Sequence, residues 1–143
     1  MEQRLTFITL GVGNLVVSRK FYQDTFGWEP EPNSGGDVVF FKLNGIVLSL
    51  FPREELAKDA GVSSQGSGFR SFSLAHNVRS EQEVDTLISE LRSKGVSVMK
   101  EPQKAFWGGY TSYIADPDGN LWEIAYNPLM PLDKDGSVSS KTE

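Results

Sequence analysis

The sequence predicts an α+β fold: two βαβββ modules in tandem, their curved mixed sheets set around a cavity and each helix on an outer face. Three observations predict it. The order strand, helix, paired strands is written twice. Each copy carries a tight turn of strong local chemistry, Asn44-Gly45 in the first and Asp116-Pro-Asp-Gly-Asn120 in the second. Each helical pattern stops at a glycine, Gly27 and then Gly95.

Module one spans about residues 5–51. Leu5 to Val12 alternates as a strand does, and Asn14 to Phe26 reads as a helix with Leu15, Tyr22 and Phe26 near one stripe. After the turn-rich Asn33-Ser-Gly-Gly36, the run Asp37 to Leu43 is a strand that Asn44-Gly45 folds back onto Ile46 to Phe51. Residues 52–68 connect the modules: Arg53 to Ala60 is a short helix closed by Gly61, and Val62 to Gly68 has the Ser/Gly composition of a flexible linker.

Module two spans about residues 69–128. Phe69 to Val78 is a strand, Ser80-Glu-Gln-Glu83 is a capping box, and Val84, Leu87, Ile88 and Leu91 fall on one helical stripe. Val96 to Lys100 opens the remaining strands. Tyr110 to Ala115 and Leu121 to Tyr126 flank a turn in which Pro117 fixes φ, Asp116 and Asp118 bond their own backbone, and Gly119 takes positive φ. Residues 1–128 are read as one domain and the polar segment 129–143 as a flexible tail.

Composition narrows the function. A formal net charge of −5 with no basic cluster argues against nucleic acid as a partner. No apolar stretch is long enough to span a membrane, and Met-Glu-Gln-Arg at the N-terminus lacks a signal-peptide pattern, so a cytoplasmic location is expected. Zero cysteines exclude disulfides and thiolate chemistry, and His76 is the single histidine.

Laying Gly45 on Gly119 lays Ser49 on Glu123; laying the first strands on each other matches Phe7 with Ser73. Strand parity then assigns Phe7, Thr9, Val47, Ser49, Phe51, Ser73, Ala75, Thr111, Tyr113, Leu121, Glu123 and Ala125 to the cavity. Small hydroxylated residues and alanines leave volume unfilled, and Trp107 before Gly108-Gly109 stands at the lip, placed to stack on a planar ligand. The ligand-binding set read from this is Phe7, Thr9, Ser49, Phe51, Ser73, Trp107, Thr111, Tyr113 and Glu123. For Phe7 and Phe51, ordinary packing is at least an equal reading, whereas Phe21, Tyr22, Phe26, Trp122 and Ile124 belong to the core. His76 shares the parity of Phe72 and Leu74 and points away from the cavity.

The run Phe7-Ile-Thr-Leu-Gly-Val-Gly-Asn-Leu15, leading to Ser18-Arg-Lys-Phe-Tyr22 and Gly27-Trp28, and the segment Trp107-Gly108 to Glu123 with its Asp-Pro-Asp-Gly-Asn turn, together resemble the vicinal oxygen chelate superfamily. That superfamily includes glyoxalase I, extradiol dioxygenases and bleomycin-resistance proteins, and the resemblance covers about residues 5–128. It implies a metal held in the cavity by side chains of pseudo-equivalent strands, positions that here fall on Phe7, Ser49, Ser73 and Glu123. Only Glu123 is a competent ligand, since phenylalanine has no lone pair and a neutral serine hydroxyl binds divalent ions poorly. No metal site, cofactor or catalytic residue is therefore assigned.

The resemblance then implies a metal-independent protein that binds a small, partly aromatic or cationic organic molecule, as in the bleomycin-resistance branch. A glyoxalase-, lyase- or dioxygenase-like enzyme with ligands outside this register is the alternative, and a scaffold with a collapsed cavity is a second. A homodimer is expected from the resemblance alone. Glu123 keeps three readings: anchor for a cation, proton-transfer group, or relic satisfied by Tyr113, Thr111 or Ser73.

Overall fold

The computed structural model describes residues 1–139, and its contacts divide the chain into unit 1, Met1–Phe69, and unit 2, from Arg70 onward. Unit 1 runs β1 (Phe7–Val12), α1 (Leu15–Lys20), a π-helical turn (Phe21–Thr25), β2 (Val39–Lys42), β3 (Val47–Pro52) and α2 (Arg53–Ala60). Asn14 caps α1 by accepting the Val17 N–H at 3.1 Å, which satisfies an otherwise orphaned donor. The sheet order is β1-β3-β2. β1 and β3 are parallel, so α1 lies in their crossover, while β2 returns antiparallel through the Asn44-Gly45 turn.

Period-two alternation sorts this sheet into two faces. Leu10, Val12, Val39, Phe41, Leu48 and Leu50 are buried on one, with the fully buried Tyr22. Tyr22 is ringed by Phe21, Phe26, Trp28 and Phe41, its ring centroid 5.2 to 6.0 Å from theirs. The opposite face carries Phe7, Thr9, Gly11, Phe40, Val47, Ser49 and Phe51. α2 packs over the Gly11 end of that face, where a Cβ would lie 3.2 Å from the Arg53 Cα, so glycine is what admits the helix.

Unit 2 runs β4 (Leu74–Val78), α3 (Glu81–Ser93), β5 (Ser97–Lys104), β6 (Tyr110–Ala115) and β7 (Leu121–Tyr126), in sheet order β4-β7-β6-β5. β4 is parallel to β7 and the other pairs are antiparallel. Val84, Ile88 and Leu91 of α3 are buried, as are Ile114, Trp122 and Ile124 of the sheet. The capping box forms with a change of partner. Ser80 Oγ accepts the Glu83 N–H at 3.1 Å, but the Glu83 carboxylate accepts from the Arg79 N–H at 2.6 Å in place of Ser80.

The architecture is thus an α+β pair of open mixed sheets of three and four strands. The βαβββ order predicted for both modules is complete only in unit 2. In unit 1 the residues before β2 coil into turns, with Ser34 N–H on Glu31 O and Gly35 N–H on Val38 O, both at 3.0 Å. β4 begins at Leu74 where Phe69 was expected, because Ser71 sits at φ 62, a left-handed conformation that no strand accommodates. Ser73 consequently precedes the sheet.

The 62–68 segment read as flexible is bonded down: the Arg53 guanidinium donates to Ser64 O and Gly66 O. Of the tail, Leu132 and Val138 form an antiparallel bridge, and Arg79 donates to Asp133 O at 2.7 Å. Residues 140–143 lie outside the described residues. Among the described residues no helix is long and apolar enough to cross a membrane.

Candidate functional site

The two sheets present equivalent positions, each described within its own unit. In unit 1, Ser49 of β3 lies between Thr9 of β1 and Phe40 of β2. In unit 2, Glu123 of β7 lies between Ala75 of β4 and Tyr113 of β6. The overlays made from the sequence agree with both registers: the shift that matches Phe7 with Ser73 also matches Thr9 with Ala75, the neighbours of Ser49 and Glu123.

The unit 1 position is neutral and self-satisfied. Thr9 Oγ1 and Ser49 Oγ are 2.5 Å apart, Ser49 is buried at 2 % exposure, and Thr9 faces solvent. Phe7 keeps 48 % of its surface exposed and meets Phe40 edge-on at 6.1 Å. Phe51 is half-buried on the same face. Phe40 was missing from the sequence-derived set, although counting back from the Asn44-Gly45 turn places it opposite Ser49.

The unit 2 position is anionic. The Tyr113 hydroxyl donates to Glu123 Oε2 at 3.0 Å, both side chains being half-buried. Burial raises the Tyr113 phenol above its ordinary value, and the hydrogen bond to Glu123 and the charge of Glu123 raise it further. Tyr113 is therefore a neutral donor at ordinary pH. Ala75 and Ala125 share the face, as does the buried Thr111 opposite Ala125. Among the described residues no cationic side chain stands within ion-pair distance of Glu123.

The β6–β7 hairpin that carries the pair is fixed by its turn. Asp116, 5 % exposed, accepts the Asp118 and Asn120 N–H groups at 2.9 and 2.8 Å on Oδ1 and the Asn120 amide at 2.9 Å on Oδ2. Gly119 adopts φ 82, as the turn requires. At the other end of β6, Trp107 folds back over Gly109, whose added Cβ would fall 2.0 Å from the indole. The ring is 38 % exposed, and Phe106 beside it is fully exposed at the tip.

Ser73 lies outside β4 and is exposed, so it is not aligned beside Glu123; Ala75 is. His76 pairs with Ile124 on the face of the sheet opposite to Glu123, as its parity predicts, and remains exposed at this edge strand. Burial of part of its surface lowers its pKa.

A divalent ion of the kind the superfamily resemblance implies takes four to six donors. Unit 1 offers two neutral hydroxyls bound to each other, and unit 2 offers one carboxylate that already accepts a phenol. Among the described residues no three His, Cys, Asp or Glu side chains converge. The donor set does not fit such an ion.

Comparisons with known proteins agree with the architecture. The chain matches the model of the Glyoxalase/Bleomycin resistance protein/Dioxygenase superfamily over residues 4–124. A solved glyoxalase-related enzyme from Fulvimarina pelagi is 40 % identical, with a TM-score of 0.87 over 99 % of this chain and 100 % of that one. A solved lactoylglutathione lyase from Agrobacterium tumefaciens is 25 % identical, with a TM-score of 0.70 over 90 % of this chain and 97 % of that one. A lactoylglutathione lyase of Arabidopsis thaliana is 30 % identical over 91 % of this chain and 46 % of its own length, so the chain spans about half of that relative.

Proposed function

Because the chain belongs to the glyoxalase/bleomycin resistance protein/dioxygenase superfamily, we propose that it serves there as a metal-independent binding protein for a small, partly aromatic organic cation, anchored on Glu123. The observation that carries this reading is the setting of the Glu123 carboxylate. It is met by a neutral phenol and by alanines, with no cationic side chain of the described residues to offset its charge. A half-buried carboxylate of that kind gains most from a protonated amine, and hydrogen bonds to charged groups contribute about 1.5–3 kcal/mol. The exposed ring of Trp107, in the same unit as Glu123, suits an aromatic body.

The experiment is calorimetric titration with tryptamine, in EDTA, of the wild type and of Glu123→Gln. Saturable binding that weakens about 10- to 100-fold in Glu123→Gln supports the reading, each tenfold being about 1.4 kcal/mol. Equal binding by both proteins, or binding that requires a metal, overturns it. Homodimer formation is part of the proposal and is checked by light scattering.

The names of the relatives favour a second reading, that the protein is a lyase acting on lactoylglutathione. Its test is turnover of lactoylglutathione with and without added divalent metals, and metal-stimulated turnover abolished by Glu123→Ala would establish it. This reading needs donors beyond the two positions described.

A further inference from the structure

Arg53 is the first residue of α2, and its guanidinium holds the segment Val62–Gly68 by three hydrogen bonds. Nε and Nη2 donate to Ser64 O at 2.9 and 2.6 Å, and Nη2 donates to Gly66 O at 3.0 Å. Next to it, Glu54 accepts from the Ser64 hydroxyl at 3.1 Å. The segment has no apolar anchor of its own: Val62 is 64 % exposed, and Ser63, Gln65, Gly66, Ser67 and Gly68 are all exposed. Gly61, Gly66 and Gly68 take positive φ at 73, 136 and 87, so both ends of the segment turn on glycine.

The location of this tether gives it a consequence. α2 touches the sheet at Gly11, on the face that carries Phe7, Thr9 and Ser49, and the Arg53 Cα is the atom nearest to where a Gly11 Cβ would stand. Thr9 lies two residues along β1, about 7 Å away. With the tether made, Thr9 is exposed and Phe7 is half-exposed. A freed seven-residue segment extends about 12 Å from its ends, enough to reach Thr9 from the α2 end of the face.

We propose that Val62–Gly68 is a lid for the open face of unit 1, held back from it by the Arg53 guanidinium. The tether is suited to reversible use because its acceptors are main-chain carbonyls, which exchange for water without leaving a buried charge behind. Its release costs the three guanidinium hydrogen bonds and the Ser64–Glu54 contact, while Val62 N–H on Ala57 O at 2.9 Å pins only the first residue, so the segment belongs to the low-stability end of the unit. The proposal does not depend on which ligand the face binds.

Two measurements on the intact chain test it. Hydrogen exchange of the Val62 and Gln65 amides, which are bonded to Ala57 O and Ser63 Oγ while the tether holds the segment, reads it in Arg53→Gln and Arg53→Lys, with the amides of β4–β7 as the control for folding. Exchange is expected to rise at least tenfold in Arg53→Gln and less in Arg53→Lys, which keeps one donor group. Access to the face is read by thiol labelling, which is clean because the chain has no native cysteine. A thiol introduced by Thr9→Cys should react several-fold more slowly with a bulky maleimide once Arg53→Gln is added, since the freed segment then sweeps the face. A thiol introduced by Val16→Cys, on α1 of the same unit and 77 % exposed, should react at an unchanged rate. Unchanged exchange in Arg53→Gln would overturn the tether; raised exchange with unchanged labelling of the Thr9→Cys thiol would overturn the lid and leave the segment as slack chain.

Discussion

Tyr113 donates its hydroxyl to Glu123 across neighbouring strands at 3.0 Å, in register, so the phenol is held by the same hairpin that holds the carboxylate. The pair sets a pH dependence. Burial and Glu123 raise the Tyr113 pKa, and the hydrogen bond to Asp85 raises that of Tyr110. A group whose folded pKa lies above its unfolded value of about 10 binds protons more tightly when folded, so its contribution is complete below about pH 10 and is lost as pH rises further. Thermal melts between pH 8 and 11.5 should show a fall in Tm above pH 10 that is smaller in Tyr113→Phe. An identical alkaline fall in the variant would remove Tyr113 as its source.

Asp116 is expected to carry a large effect on stability for a polar residue in a turn. Its buried carboxylate accepts three hydrogen bonds in the turn that joins β6 to β7. Asp116→Ala leaves those donors without their acceptor, and a loss of about 2–4 kcal/mol is expected. Asp116→Asn keeps one acceptor oxygen and should lose less. Urea denaturation of both variants checks the order, and equal losses would contradict it.

Much of this was legible beforehand, and the places where it was not have physical reasons. The equivalence of Ser49 and Glu123 could be counted from two turns, because Gly45 and Gly119 fix hairpin register and strand parity does the rest. Ser73 defeated the same counting. Its parity is sound, but the left-handed Ser71 ends the strand before reaching it, and serine carries no signal for that conformation. The Val62–Gly68 segment has a linker's composition, yet its order comes from Arg53, nine residues before Val62, through carbonyls that exist at every position of any chain. The Glu83 to Arg79 bond slipped the capping box by one residue for the same reason: main-chain donors do not distinguish themselves in a sequence.

Gly109 is expected to decide where the Trp107 ring sits. The far edge of the indole lies over the Gly109 Cα, so Gly109→Ala must expel the ring, and because a side chain can swing out the cost to stability should be about 1 kcal/mol or less. The exposed indole should shift tryptophan emission to the red, measurable against Trp107→Phe, in which that shift is absent. Unchanged emission with a large drop in Tm would mean that the backbone yields and the ring stays.

His76 supplies a titration with a single reporter, being the only histidine of the chain. It lies on the sheet face of Leu74 and Val78, and burial of part of its surface lowers its pKa from 6.5. Between the lowered folded value and the ordinary unfolded one, the unfolded chain binds more protons, so stability rises with pH through that window. The contribution is present above about pH 6.5 and is lost as pH falls through the folded pKa. The imidazole resonance should therefore titrate below 6.5 in the folded protein, and His76→Gln should flatten the acid limb of the stability profile. A resonance that titrates at or above 6.5 would place the ring in water and remove the linkage.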